Sequence, residues 1–331
     1  MLDVLTIGSA TLDIFVRSNQ FKLIKTKEVA TGMALCEVYG AKLDVDDIQL
    51  ATGGGATNTA VSFSRKGLSS ASIVELGNDL PAEMILSDLK KESVNTSHVI
   101  QEASEKTAIS VVLASPEGGR SIVTYRGASK MLDNHDIPWK LFTSDHKPKW
   151  LYISSLGGQV ELLQKLIHSA KQNHIKLAVN PGQGEIRHHQ ILGQLCHLID
   201  VLILNQEEAA ELFNLPYSQF PKILAAAKNS GCHTILITQG AEGAHILSES
   251  KVWFCPPSHH HMIEATGAGD AFGSGFVAGQ ILGWDLNKSS QLARANSGSV
   301  ISFVGAKQGL LSLDQFDKIT NINDQVVSLD K

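Results

Sequence analysis

Cysteine is scarce in this 331-residue sequence, and its four copies stand far apart. The four cysteines are Cys36, Cys196, Cys232 and Cys255, and no two of them form a C-x-x-C pair. Because a disulfide scaffold or a zinc knuckle needs closer, patterned spacing, the sequence predicts reduced thiols and a cytoplasmic protein.

An excess of positive charge is also lacking, since 28 basic residues face 33 acidic ones and leave a formal net charge of −5. This balance provides no general attraction to nucleic acid or to anionic lipid. No apolar run approaches the roughly 18 residues of a membrane span, and the first residues, MLDVLTIG, predict a strand rather than a signal peptide. We therefore expect neither nucleic acid nor a membrane as a partner.

The chain is long enough to bury a core of its own, and 43% of its residues are hydrophobic. Short apolar runs typical of strands alternate with segments whose apolar residues have helical spacing. The predicted strands are Val4–Ile7, 72–76, Trp150–Ile153, 177–179, 201–204 and 234–237, and the clearest predicted helices are Val160–Gln172 and 206–213. This alternation predicts an α/β fold in which a mainly parallel sheet is flanked by helices on both faces.

Two stretches interrupt the alternation. Residues 108–113 and 121–125 predict extended strands, and the sequence SPEGG at 115–119 predicts the turn of a hairpin between them. Residues from about 14 to 50 contain possible short strands and no clear helix. We expect a single domain, residues 1–331, with a small β-sheet lid contributed by about 14–50 and 98–128.

A glycine-rich turn at 264–270, with the sequence EATGAGD, precedes an apolar segment typical of a buried helix. The first amides of a helix have no internal partners and form a natural phosphate site. An aspartate at that position, Asp270, could accept the proton of an alcohol while the amides stabilise a transferring phosphoryl group. The simpler alternative is that Asp270 only caps the helix.

A second glycine-rich segment, GGGATNTA at 53–60, also leads into a helical stretch, which ends at Gly67. Its glycines allow backbone amides to face a polar ligand, and Asn58 offers a donor and an acceptor to a hydroxyl group. Taken alone, this segment equally suits a flexible turn followed by a capping asparagine.

Together the two segments resemble the signatures of the ribokinase-like (PfkB) carbohydrate kinases. The first signature is matched by Gly53, Gly54, Ala56, Asn58, Ala60, Gly67 and Gly77, and the second by the residues from Gly267 to Val277, including Asp270. Weaker family features follow in order: Asp13 near the end of the first strand, Asn205-x-x-Glu208, Thr238-x-Gly240-x-x-Gly243, Asn296 within 295–298, and 305–306. The resemblance covers about residues 1–310 and implies the ribokinase-like fold and an ATP-dependent kinase for a hydroxymethyl group of a small sugar.

The resemblance also implies a role for individual residues. Asp270 would be the general base, with the amides of Gly267, Ala268 and Gly269 as the anion hole. The sugar hydroxyls would be held by Asp13, Gly54 and Asn58, with Arg126 as a further candidate from the lid. The nucleotide would be bound by Asn205, Glu208, Thr238, Gly240, Gly243 and Asn296. Glu208 would face magnesium through water, and the lid would close over the sugar and exclude water.

Departures from the family pattern bear on potassium. Members often begin the second signature with Asp-Thr, and that aspartate commonly helps to hold a monovalent cation, whereas this sequence has Glu264 and Ala265. Gly309 also replaces a serine found in some ribokinases. A potassium requirement is therefore doubtful.

Other functions are less consistent with the sequence. A nucleoside kinase of the same fold is the alternative, and Phe15, Phe21 and Tyr39 are candidates for a surface that binds the base. A dinucleotide-binding oxidoreductase would need its glycine motif after the first strand, where Gly8 stands alone. A P-loop kinase is excluded because the sequence has no Gly-Lys pair. The family resemblance further allows a homodimer formed through the lid.

Overall fold

A computed structural model of the chain describes residues 2–27, 32–40, 42–115, 120–249, 251–319 and 327–328. Within these residues the strands are β1 Val4–Ile7, β2 Thr11–Arg17, β3 Lys22–Lys25, β4 Met33–Cys36, β5 Asp47–Gly53, β6 Ser70–Ile73, β7 Glu75–Leu76, β8 Ile100–Gln101, β9 Ala108–Ala114, β10 Arg120–Tyr125, β11 Trp150–Ile153, β12 Lys176–Val179, β13 Val201–Asn205, β14 Thr234–Thr238, β15 Ala244–Ser248, β16 Lys251–Cys255 and β17 Val327–Ser328. The α-helices are α1 Gly55–Arg65, α2 Leu80–Lys91, α3 Trp139–Phe142, α4 Val160–Gln172, α5 Gln183–Ile186, α6 His189–Leu195, α7 Gln206–Leu212, α8 Phe220–Lys228, α9 Ala268–Ile281, α10 Leu286–Val300 and α11 Leu313–Ile319. None of the described helices is both long and apolar enough to cross a membrane.

The main sheet has the strand order β17-β16-β15-β14-β13-β12-β11-β1-β6. Six neighbouring strands run parallel to one another: β14, β13, β12, β11, β1 and β6. Strands β15, β16 and β17 add an antiparallel edge beside β14. Successive side chains of a strand point to opposite faces of a sheet. In β1, Leu5 and Ile7 accordingly pack in one buried cluster with α4, whereas Val4 belongs to a second cluster with α9 and α10. Helices therefore cover both faces, which confirms the predicted α/β architecture.

The predicted elements of the main sheet agree well with the structure. The strands Val4–Ile7 and Trp150–Ile153 and the helix Val160–Gln172 have the bounds that we predicted. The predicted strand at 72–76 is instead divided between β6 and β7, because Val74 separates a segment that pairs with β1 from one that pairs with β8. The antiparallel edge strands β15 and β16 were not predicted.

A separate four-stranded sheet, the small sheet, has the order β10-β9-β2-β5. β9 and β10 pair as antiparallel neighbours, as a hairpin requires, although most of the predicted turn (116–119) lies outside the described residues. The register aligns Ala51, Asp13, Ser110 and Thr124 across the four strands, so these residues share one face. We call it the Asp13 face. A two-stranded sheet of β3 and β4 accounts for the remaining strands at 14–50.

The functional residues converge where α1 and α9 begin. α1 follows directly from β5 of the small sheet, and α9 packs against both α1 and α10. Hydrogen bonds between the two helices fix their relative position: Ser274 on α9 donates to Ser62 on α1 over 2.7 Å. The first turns of both helices are thereby held beside the small sheet.

Candidate active site

Asp270 lies in the first turn of α9, and its carboxylate is held by Asn58 on α1. The Nδ2 group of Asn58 donates to Oδ2 of Asp270 over 2.8 Å. Burial of the carboxyl raises the pKa of Asp270; the hydrogen bond from Asn58 opposes this shift, and the charge of Asp13 adds to it. A carboxylate with a raised pKa is a better proton acceptor near neutral pH than an exposed one.

The turn that precedes α9 presents backbone amides. Gly267 has φ of 77°, a conformation that favours glycine, and a Cβ atom here would lie 2.3 Å from the Cβ of Ala306. Within the described part of the chain, the amides of Gly267, Gly269 and Asp270 donate to no protein acceptor, whereas that of Ala268 donates to Ala265 O over 3.3 Å. This turn at the N-terminus of a 14-residue helix can bind an anion.

Asp13 lies in the middle of β2, on the small sheet, and not near the end of the first strand as we expected. The difference arises because the chain leaves the main sheet after Ile7 and begins a new strand at Thr11. Its buried carboxylate accepts a hydrogen bond from Thr11 Oγ1 over 3.0 Å. Burial raises the pKa of Asp13, while hydrogen bonds from Thr11 and Ser110 and the charge of Lys307 oppose the shift.

Asn58 is buried, yet only its amide nitrogen has a partner. Its Oδ1 atom is buried and accepts no hydrogen bond from the described residues. A buried acceptor without a donor is costly, so this atom is suited to bind a hydroxyl group of a ligand. Gly54, just before α1, has φ of 98°, and a Cβ there would lie 2.5 Å from Ser9 O, so only glycine allows this approach.

Asn205 and Glu208 cap the N-terminus of α7 for each other. Asn205 Oδ1 accepts from the Glu208 amide and Glu208 Oε2 accepts from the Asn205 amide, both over 2.8 Å. Burial raises the pKa of Glu208; the hydrogen bond from the Asn205 amide opposes this shift, and the charge of Asp270 adds to it. The cap explains the sequence pattern without a ligand, and it fixes both side chains at the carboxyl end of β13.

The other residues predicted to bind the nucleotide and not yet located lie at the end of β14, just after it, or on α10. Three of them are at or near the end of β14. Thr238 is the last residue of β14, and Gly240 and Gly243 bound the turn that leads into β15. The side chain of Thr238 is half-buried, with its hydroxyl 3.5 Å from Leu204 O. Since β13 and β14 are parallel neighbours, this turn lies beside the start of α7.

Asn296 does not reach the surface of the site, contrary to our expectation. Its side chain is 0% exposed and donates to Ala271 O over 2.7 Å, while its oxygen accepts from the Leu311 amide over 2.9 Å. Its amide group also contacts Ser62 and the ammonium group of Lys66. Asn296 therefore has no free surface for a nucleotide; instead it supports the first turn of α9 from behind. Its burial depends on packing between helices that sequence spacing does not reveal.

The side chain of Arg126 is exposed just after β10 and forms no hydrogen bond or ion pair with the described residues, while its carbonyl oxygen accepts from the Ser129 amide over 3.1 Å. Another arginine of this strand, Arg120, instead forms an ion pair with Glu264 in the loop before α9. The signal that could have found this contact is the pairing of β10 with β9, which places Arg120 on the Asp13 face.

Two buried lysines near the site were not predicted from the sequence. Lys307 Nζ donates to Thr52 Oγ1 over 2.8 Å and to Asp88 over 3.0 Å, and so links the segment after Ala306 to the small sheet and α2. Lys66 is fully enclosed behind α9. Lysine is rarely buried without partners, and nothing in the surrounding sequence distinguishes these lysines from exposed ones.

The comparison with protein families agrees with this arrangement. A sequence model of the family described as "pfkB family carbohydrate kinase" matches residues 23–312. The chain belongs to the pfkB carbohydrate kinase family. It is thus a kinase of the ribokinase-like group, whose members include sugar and nucleoside kinases, and ATP use is implied by membership of the pfkB family.

Individual relatives are distant in sequence. The chain is 22% identical to a deoxyribokinase of Salmonella typhimurium over 326 residues, covering 98% of this chain and all of that protein. A solved Arabidopsis thaliana ribokinase in complex with ribose and ATP superimposes with a TM-score of 0.77 at 19% identity, over 96% of this chain and 98% of the other. A Burkholderia thailandensis nucleoside kinase in complex with inosine gives 0.75 at 18%, over 96% and 97%. These structures establish a shared pfkB-type fold.

Proposed function

We propose that the protein transfers the γ-phosphoryl group of ATP to a hydroxymethyl group of a small sugar. The observation that carries the proposal is the Asp270 carboxylate, with its raised pKa, beside a helix N-terminus whose amides at Gly267 and Gly269 have no acceptor in the described part of the protein. Phosphoryl transfer requires mainly positioning and charge stabilisation from the protein.

Asp270 is the general base of this mechanism. Its carboxylate accepts the proton of the sugar hydroxyl as the oxygen attacks the γ-phosphorus. Asn58 orients the carboxylate by donating to Oδ2. The raised pKa supports this role, because the proton affinity of the carboxylate is closer to that required for acceptance near neutral pH.

The amides of the turn before α9 form the anion hole for the transferring phosphoryl group. Gly267 and Gly269 fit this role best, and the Asp270 amide is a further donor, whereas Ala268 already donates within the turn. Such fixed donors stabilise developing charge without reorganisation.

The sugar is bound by Asp13, Asn58 and the backbone at Gly54. Support comes from the buried Oδ1 atom of Asn58, which has no donor among the residues that the structure describes, and from the buried carboxylate of Asp13 on the small sheet. Arg126 remains a candidate contact because it is exposed beside this sheet. Acting as the lid, the small sheet would cover the sugar and exclude water, which limits hydrolysis of ATP.

The nucleotide lies toward Asn205, Glu208, Thr238, Gly240 and Gly243. Among the described residues no group of three or more His, Cys, Asp or Glu side chains is suited to hold a metal ion alone. Magnesium usually retains waters and takes few carboxylates beside substrate phosphates, so Glu208 fits it through water. The ion, when bound, neutralises phosphate charge. Potassium is not part of the proposal, because both oxygens of Glu264 already accept hydrogen bonds from Thr266.

The aromatic residues considered for base binding are placed in a way that favours a sugar, rather than a nucleoside, as the acceptor. Phe15 and Phe21 are each only 7% exposed, and Tyr39 is fully exposed on a loop outside the small sheet. None of these rings presents a stacking surface bounded by other groups. A nucleoside kinase is the alternative, and the inosine complex of the Burkholderia relative is the observation in its favour.

We further propose a homodimer formed through the lid. The face of the small sheet opposite to Asp13 exposes apolar side chains: Ile48, Leu50, Val123 and Tyr125. Exposed apolar patches of this kind commonly mark protein interfaces. Sedimentation equilibrium should give twice the monomer mass, and a Leu50→Glu variant should give the monomer mass; monomeric wild type would contradict the proposal.

Release of ADP from ATP and magnesium, measured with a panel of acceptors, tests the function. The panel comprises D-ribose, 2-deoxy-D-ribose, D-fructose 6-phosphate, adenosine and inosine. Turnover with one of the sugars is expected. Turnover only with the nucleosides would identify the protein as a nucleoside kinase instead. No turnover above the rate without acceptor would contradict the proposed substrate class.

A further inference from the structure

Arg120 connects the small sheet to the loop that leads into α9. It is the first described residue of β10 and lies on the Asp13 face. Its Nη1 atom forms an ion pair with Glu264 Oε1 and lies 3.5 Å from Thr266 Oγ1. The two residues are 144 positions apart in sequence, so this contact adds a direct link between the small sheet and the α9 loop.

Glu264 in turn fixes the residue before Gly267. Its Oε2 atom accepts from the Thr266 amide over 2.8 Å, and its Oε1 atom accepts from the Thr266 hydroxyl over 2.8 Å. The main chain of Glu264 is itself anchored, since its amide donates to Ile301 O over 3.1 Å. The glutamate therefore sets the orientation of the peptide that enters the anion hole.

Partial burial gives this ion pair more weight than an ordinary surface pair. The side chain of Glu264 is 11% exposed and that of Arg120 is 38% exposed. The carboxylate is largely removed from water, so the guanidinium group provides charge compensation that solvent supplies elsewhere. Loss of Arg120 would leave Glu264 free to turn toward solvent and release Thr266.

We propose that Arg120 is a positioning residue, which couples closure of the small sheet to the geometry of the anion hole through Glu264 and Thr266. This inference rests on the proposed function, because it assumes that the amides beginning at Gly267 hold the phosphoryl group. When the small sheet lies over the sugar, Arg120 orders the turn; when the sheet moves away, the turn loses that support. Transfer is thereby restricted to the closed state.

Hydrogen–deuterium exchange on the purified protein, without any substrate, tests the coupling. Within residues 265–270 the Thr266 and Ala268 amides have protein acceptors among the described residues. Exchange at these two amides should be about fivefold faster in Arg120→Gln, the factor that corresponds to a partly buried ion pair of about 1 kcal/mol. Glu264→Gln should likewise accelerate exchange in β10, and the double variant should add little, because both changes break one interaction. Lys176→Gln, which removes an exposed ion pair with Asp200 away from the site, is the matched control and should change neither segment.

Kinetics then test the consequence for transfer. With the acceptor identified from the panel, Arg120→Gln should lower kcat about tenfold, leave KM for ATP within about twofold, and increase ADP release that is not matched by sugar phosphate. Arg120→Lys should retain most of the activity. Unchanged exchange at 265–270 in Arg120→Gln, or fully additive effects in the double variant, would overturn the inference. Because exchange is measured without turnover, the exchange result can be interpreted even if the protein does not phosphorylate a sugar.

Discussion

Replacement of Lys66 by methionine should change how the stability of the protein depends on pH. The Lys66 side chain is buried, and among the described residues its ammonium group contacts four oxygens, none of them from a carboxylate. Those oxygens belong to Ser62 (main chain and hydroxyl), Asn296 and Leu311. Burial, with a contribution from the charge of Arg65, lowers the pKa of Lys66 from 10.5 to about 7.

The sign of the effect follows from proton binding in the two states. Above pH 10.5 Lys66 is neutral in both the folded and the unfolded chain. Between about 7 and 10.5 only the unfolded chain binds the proton, so stability falls as the pH falls through this window, and below about 7 the loss is complete. Each pH unit inside the window changes the free energy of unfolding by about 1.4 kcal/mol.

Urea unfolding at pH 7.5 and 9.5 measures this contribution. The free energy of unfolding of the wild type, relative to Lys66→Met, should rise by about 3 kcal/mol between the two values. Lys176→Met, at an exposed position, is the control and should show no such rise. Parallel pH curves for the wild type and Lys66→Met would refute the reasoning, because they would mean that the four oxygens keep the ammonium group charged.

Further predictions concern the site itself. Asn58→Ala removes the hydrogen bond that stabilises the charged form of Asp270, so the pKa of that carboxyl should rise and the acid limb of the pH profile of kcat/KM should move to higher pH; an unshifted limb would argue against Asp270 as the base. Gly267→Ala would force a Cβ against Ala306 and strain a positive φ, so urea unfolding should show a loss of about 1–3 kcal/mol, with reduced turnover; an equally stable, fully active variant would contradict the tight turn. Glu208→Gln should raise the magnesium concentration needed for half-maximal rate while α7 stays folded by circular dichroism, and an unchanged requirement would exclude Glu208 from the metal site.

The architecture could be predicted from the sequence because its strongest signals are local. The helix Val160–Gln172 was predicted with its observed bounds, since its buried leucines recur at helical spacing. The edge strands β15 and β16 were missed because their identity depends on antiparallel pairing with β14 and with each other. Such pairing joins distant chain segments and leaves little trace in a local pattern.

The candidate site could be predicted only where a motif combines glycine with a polar residue. Asp270 and Asn58 belong to such motifs, and the structure joins them by a hydrogen bond. Asn296 was assigned to the wrong environment because its burial results from the packing of α10 against α9. Arg120 and Glu264 meet across the interface between the small sheet and the α9 loop, and no sequence spacing encodes that meeting.

The central claim is that Asp270 is the general base, and turnover by Asp270→Asn tests it most directly. Asparagine has nearly the same size as aspartate, and α9 has no side-chain cap that the change would remove, so the variant should fold and bind ATP as the wild type does. With the acceptor that the wild type phosphorylates, its kcat should be lower by a factor on the order of 10² to 10⁴. Turnover equal to that of the wild type, in a variant whose ATP binding and unfolding curve are unchanged, would show that Asp270 is not the base and would end this mechanism.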